Sequence, residues 1–205
     1  MYEKVNPKHP DKIADRIAGM IVDIAYTKKL NPKVAVEVLI GHNECYIIIE
    51  SDYDYQKPIH INYIKRRVKE ISGVFDIKTI IKYYPQDAIL NKAQEKKIVC
   101  ADNGIFKGVP ISKEQQKLTE IAKGIYARFN KDGKYILDEN RLVICQSNAT
   151  HKDIGAYLEN NNYKDYQTII NPIGYWTGGI DVDTGATNRK LGSDMGDAIT
   201  GGGLH

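Results

Sequence analysis

From Pro10 to Lys29 the residues Ile13, Ile17, Ile21 and Ile24 recur at helical spacing, with Ala14, Ala18 and Ala25 beside them. That stripe predicts an amphipathic helix whose first turn carries Asp11. The pattern then changes to β-branched runs, Lys33–Ile40 and Cys45–Asp52, around Gly41-His42-Asn43-Glu44. Two such runs around a short polar turn predict a β-hairpin. Residues His60–Ser72 place Ile64, Val68 and Ile71 on one helical face, with Gly73 as the stop, and Asp76–Tyr84 reads as a strand. The order helix, strand, strand, helix, strand predicts a compact unit whose sheet is covered on one face by helices.

A polar stretch, Pro85–Lys97, separates this unit from a second and is expected to include a mobile loop. Lys113–Phe129 predicts a strong helix: Leu118, Ile121, Ala122, Ile125 and Phe129 share a face, and Ser112 with Gln115 forms a capping box. A short strand at Arg141–Gln146, a helix at His151–Asn160 and a strand at Tyr166–Ile170 follow. From Asn171 onward nine glycines fall among 35 residues. A stretch so rich in glycine builds no core, so it is either a tail or a backbone scaffold for a ligand. The expected organisation is residues 1–97 as one α+β unit, 98–170 as a second, and 171–205 as a glycine-rich segment.

Composition narrows the partners. Of the 205 residues 42% are apolar and 27% charged, enough to bury a core without a disulfide or metal staple. Lys and Arg number 29 against 26 Asp and Glu, a net of +3, too balanced for a nucleic-acid binder that works by phosphate neutralisation. No apolar run reaches membrane-spanning length. The cysteines, Cys45, Cys100 and Cys145, form no CxxC pair, which argues against zinc. Their odd number, with no export signal, reads as reduced thiols in the cytoplasm.

Three segments could carry chemistry. Lys8-His9-Pro10-Asp11-Lys12 opens the first helix, where a histidine and two lysines beside backbone N–H groups suit a phosphate, and Asp11 could give one oxygen to Mg²⁺. The plainer alternative is an exposed, charged helix cap. Asp102-Asn103-Gly104 with Gly108 marks tight turns, and a surface turn is the plainer account. Asn171-Pro172-Ile173-Gly174-Tyr175-Trp176, Gly178-Gly179 and Asp183-Thr184-Gly185-Ala186-Thr187-Asn188-Arg189-Lys190 combine glycines, an aromatic face, acids and two adjacent cations. Glycine lets backbone N–H groups approach an anion, and Trp176 offers a face to a purine. The spacing is neither a Walker A sequence nor a GxGxxG.

Taken in order, these segments resemble the S-adenosylmethionine synthetase family as a divergent branch. Lys8-His9-Pro10-Asp11-Lys12 stands for the family's GHPDK, with lysine for glycine. Ala101-Asp102-Asn103-Gly104 stands for GDQG. NPIGYW, the glycine pair, VDTGATNRK, Asp194 and the final glycines fall in step with NPxGxF…GG…GDxGLTGRK…D…HGGG.

The resemblance implies an α+β fold of pseudo-repeated sheet-and-helix units, the third repeat incomplete. It implies synthesis of S-adenosylmethionine from ATP and methionine, Mg²⁺ and K⁺ as cofactors, and a homodimer, or a higher oligomer, with sites at the interface. His9 would sit near the breaking C5′–O bond, Asp11 would ligate Mg²⁺, and Arg189 and Lys190 would hold the triphosphate. Trp176 would stack on adenine, and Asp102 and Asp183 would line the methionine and ribose region. Glu50 would bind the methionine amino group and Glu37 would coordinate K⁺. For the family's PDxK, the candidates are Lys134 and Asp138-Glu139-Asn140-Arg141, with Asp138 the expected ribose partner. The QSPDI gating loop is reduced to Tyr83-Tyr84-Pro85-Gln86-Asp87. The 205 residues then read as the first part of a longer enzyme or a reduced relative. A non-catalytic ATP or S-adenosylmethionine binder and a triphosphate hydrolase on the same scaffold stand as alternatives.

Overall fold

A computed structural model describes residues 1–89, 92 and 112–190. Strand β1 (Tyr2–Val5) leads into helix α1 (Pro10–Lys28), the hairpin β2 (Val34–Gly41) and β3 (Glu44–Ser51), helix α2 (Pro58–Ser72) and strand β4 (Lys78–Pro85). After the gap come α3 (Lys113–Phe129), the hairpin β5 (Gly133–Asp138) and β6 (Arg141–Gln146), α4 (His151–Asn160), β7 (Gln167–Ile170) and the two-residue strand β8 (Gly185–Ala186).

The strands form two sheets, ordered β4-β3-β2-β8 and β1-β5-β6-β7. Each is built from one plan: a helix, an antiparallel hairpin, a second helix, and a strand parallel to the hairpin's second arm. The fold is α+β and pseudo-repeated. The repeats also exchange strands. β1 precedes the first unit but pairs with β5 in the second sheet, and β8 returns to pair with β2 in the first. Sheet membership therefore crosses the sequence boundaries at residues 97 and 170.

Local chemistry sets the elements. The β2–β3 turn places His42 and Asn43 at φ 49° and 63°. Positive φ at both central residues gives the turn a twist that matches its flanking strands. Gly73 ends α2 at φ 80°, and Ser112 and Gln115 close the reciprocal capping box of α3. Ile13, Ile17 and Ile21 of α1 pack with Val36, Val38, Ile40, Ile47 and Ile49 of the hairpin and Ile64 and Val68 of α2. Leu118, Ile121 and Ile125 of α3 pack with Tyr135, Leu137, Leu142 and Ile144.

Two contacts fix α1 against the rest. The buried Asn6 spans to β5: its backbone N–H donates to Gly133 O at 3.0 Å and its side chain to Lys131 O at 2.7 Å. Gly185 of β8 lies so close to α1 that an added Cβ would strike the backbone of Pro10 and Asp11. Gly185→Ala is expected to cost about 1–3 kcal/mol by overpacking, read as a fall in Tm.

Candidate functional site

The site forms where the start of α1, strand β8 with its sequel, and the entry to β5 converge. His9 is the N-cap of α1, and its Nδ1 accepts a hydrogen bond from the Asp11 N–H at 3.2 Å. Burial pushes its pKa down to about 4, against the opposing field of Asp11. His9 is thus neutral at pH 7, and because Nδ1 accepts, Nε2 carries the proton and is free to donate.

Asp11 is 4% exposed. Its Oδ1 accepts from the Ala186 N–H at 2.9 Å, Lys190 Nζ lies 3.3 Å from Oδ2, and an Arg189 nitrogen lies 4.0 Å from Oδ1. The pairing of β8 with β2 delivers these cations: the Thr187 N–H donates to Val38 O at 3.0 Å, and its hydroxyl donates to Glu37. The Asn188 N–H donates to Asp15 at 3.1 Å.

Of the two lysines expected to face a phosphate, Lys12 does not. Its Nζ lies 2.9 Å from Asp15 Oδ2, and both side chains are buried. Burial raises the Asp15 pKa, while Lys12 and the Asn188 N–H oppose that rise. The pair is structural, because removing one partner would strand a buried charge. Lys8 is half-buried and its pKa is lowered, first by burial and then by Arg16 and Lys131.

The residue missed from sequence is Asp132, just ahead of β5. It is 6% exposed; Oδ2 accepts from the Gly179 N–H at 3.0 Å, and among the described residues the buried Oδ1 accepts no hydrogen bond of good geometry, although the neighbouring Gly133 N–H helps to hold the carboxyl's pKa down. Burial raises its pKa to about 6, with the carboxylates of Asp183 and Asp11 adding to the rise. A carboxylate oxygen held out of water without a well-placed donor is a group that a ligand hydroxyl could satisfy. Asp132-Gly133-Lys134, immediately before a strand, was the available signal. Across from it, Trp176 packs its ring on Gly178, where an added Cβ would meet both the ring and Asp132 Oδ2, the latter at 2.7 Å.

The other expected residues divide. Asp183 is exposed, accepts from the Thr184 N–H at 2.7 Å, and acts on His9 and Asp132 through its field. Asp138 does not join the group. It sits at the β5–β6 turn, 3.7 Å from Arg141 and 3.6 Å from the terminal amine. A two-residue turn puts Asp138 opposite Arg141 and turns the carboxylate to its own hairpin. Glu50 is exposed on the face of the first sheet turned away from the core, in the alternation of Tyr46 and Ile48. Glu37 is half-buried. Asp102, Asp194 and Cys100 lie outside the described residues, as does most of the expected mobile loop. Among the described residues no three His, Cys, Asp or Glu side chains cluster as a metal site. No described helix is long and apolar enough to cross a membrane.

Two strand-exchanged α+β repeats, joined around a helix start that gathers an acid, a neutral histidine and two cations, define the class. Residues 1–86 match the family described as S-adenosylmethionine synthetase, N-terminal domain. The S-adenosylmethionine synthase of Borrelia garinii subsp. bavariensis is 29% identical over 99% of this chain and 66% of its own length. That of Mycoplasma mycoides subsp. mycoides is 25% identical over 94% of this chain and 62% of its own. A solved structure, described as an unusual S-adenosylmethionine synthetase from Campylobacter jejuni, superposes with a TM-score of 0.70. It shares 19% identity and covers 99% of this chain and 66% of that one. Over nearly its whole length the chain is thus similar to S-adenosylmethionine synthases at 25–29% identity, and it spans just under two thirds of the length of the curated relatives it matches.

Proposed function

We propose that the protein makes S-adenosylmethionine in the cytoplasm from ATP and methionine, cleaving the triphosphate to phosphate and pyrophosphate before release. The observation that carries this reading is the meeting of Asp11, Arg189 and Lys190 beside a neutral His9 at the start of α1. Methionine sulfur is already a good nucleophile. The bond it forms is to C5′, and the C5′–O bond breaks as triphosphate leaves with roughly four negative charges, so positioning and charge neutralisation dominate.

Lys190 and the half-exposed Arg189 turn from Asp11 to the triphosphate, while His9 donates from Nε2 near the departing oxygen. Trp176 stacks on adenine. Asp132 accepts from ribose hydroxyls with its buried Oδ1, the role expected of Asp138, and Lys134 and Asp183 flank it. Glu50 and Asp102 hold methionine. Asp11 fits a phosphate-borne Mg²⁺, as a hard oxygen donor beside cations that bring phosphate to it; Mg²⁺ would neutralise the triphosphate further. Glu37 offers a carboxylate of the kind that suits K⁺. The exposed Leu39, Tyr46, Ile48 and Tyr84 share a sheet face with Glu50, which supports a homodimer, or a higher oligomer, with the methionine site at its interface.

An assay with ATP, methionine, Mg²⁺ and K⁺ is expected to yield S-adenosylmethionine, phosphate and pyrophosphate. ATP binding without turnover would replace this reading by a non-catalytic binder. Triphosphate cleavage indifferent to methionine would replace it by a hydrolase.

A further inference from the structure

The indole of Trp176 is not free to turn. Its Nε1–H donates to Asn171 Oδ1 at 3.2 Å, and the same oxygen accepts the Gln146 N–H at 2.9 Å. The Asn171 amide donates in turn to Gln146 O and Ala149 O, each at 3.0 Å. Asn171 is thus saturated by four hydrogen bonds, 6% exposed, and in the left-handed region at φ 42°, where asparagine is favoured over most residues. The second hold is on the backbone, since Trp176 O accepts the Asn148 N–H at 2.9 Å. The third is the ring itself, seated on Gly178.

An indole needs an acceptor where a phenyl ring does not. The sequence supplies one at a fixed point of the second sheet's edge, where the Asn171 N–H also bonds Ile144 O at 2.8 Å. We infer that Asn171 is a positioning residue: it locks the Trp176 indole before nucleotide arrives, so the purine-stacking face is pre-organised. This rests on the proposed role of Trp176 against adenine. Pre-organisation favours binding because the rotamer is not ordered at the moment of association. The expected signature is therefore on ATP affinity rather than on the chemical step.

The chain contains one tryptophan, so its emission reports this residue alone. Asn171→Gly keeps the left-handed backbone while removing the acceptor. In the nucleotide-free full chain, acrylamide quenching of Trp176 should rise about two- to threefold and its fluorescence anisotropy should decay faster. Calorimetry with Mg-ATP should show affinity weakened about tenfold, with kcat changed less than about threefold. In a Trp176→Phe background the same Asn171→Gly change should cost less than about twofold in affinity, because phenylalanine asks for no acceptor. Far-ultraviolet circular dichroism of Asn171→Gly at the assay temperature, unchanged from wild type, guards against a general folding defect. Equal losses in the Trp and Phe backgrounds, or unchanged quenching in Asn171→Gly, would overturn the inference. Should ATP leave wild-type Trp176 emission unaltered, the stacking reading fails, and the locking is still decided by the quenching arm.

Discussion

His9→Asn is expected to lower S-adenosylmethionine formation by about 100- to 1000-fold, the range for losing one pre-organised donor to developing charge. ATP affinity should fall by less than about threefold. Asparagine is a good N-cap, so its side-chain oxygen can take the Asp11 N–H now accepted by His9 Nδ1, and α1 should start as before. What is lost is the distal Nε2–H. The His9 pKa near 4 makes the role that of a neutral donor, so the activity of the wild type should not report a histidine titration between pH 6 and 8. Single-turnover kinetics against ATP binding separates the two effects, and normal turnover in the variant would refute the role given to His9.

The first unit was legible because its signals are local. A 3.6-residue apolar period marks α1, β-branched runs around a two-residue turn mark β2 and β3, and Gly73 marks the end of α2. The second unit was half legible. Its first helix announced itself through Ser112 and Gln115 at its cap, and the second was read at its observed bounds. Strand β5, the sequence GKYILD, passed unread, although it lies in the interior of its sheet. Four-residue β1 and two-residue β8 are strands only because a distant partner completes them, and no local pattern encodes that.

The same reason separates the expected residues that the structure gathers at the start of α1 from those it places elsewhere. Arg189 and Lys190 follow from a motif whose geometry is carried by the chain itself. The inward turn of Lys12 depends on β8 covering α1, since Asp15 is fixed in part by an Asn188 N–H from 173 residues away. Asp132 was not considered, because β5 itself went unread. Once Gly133 is known as its first residue, Asp132 stands at the mouth of the strand, while Asp138 stands at the hairpin turn on the far end.

Asp132→Asn is expected to stabilise the fold while weakening ATP. The Asp132 carboxyl titrates near 6 in the fold against 3.8 for the ordinary group, because burial and the fields of Asp183 and Asp11 disfavour its charge. A folded pKa above the unfolded one gives stability that is fully present below pH 3.8 and lost as pH rises through about 6. At pH 7.5 the ionised group therefore opposes folding by about 2–3 kcal/mol, and the neutral amide should relieve most of this. Its oxygen can still accept the Gly179 N–H. In a chain of this size that is about 5–10 °C in Tm. His9 acts in the opposite sense over an overlapping window. Its folded pKa is depressed from 6.5 to about 4, so its contribution is present above 6.5 and lost as pH falls toward 4. The wild type should then show a shallow pH dependence of stability between 4 and 6.5, and each single variant should expose the other group's slope. Asp132→Asn should be destabilised by acid and His9→Asn stabilised by it. Calorimetric Tm from pH 4 to 8 measures both, and equal slopes in the two variants would remove Asp132 and His9 as the opposed pair. A buried carboxylate kept ionised at neutral pH, at a cost to folding, is the expected mark of a group retained for its ligand.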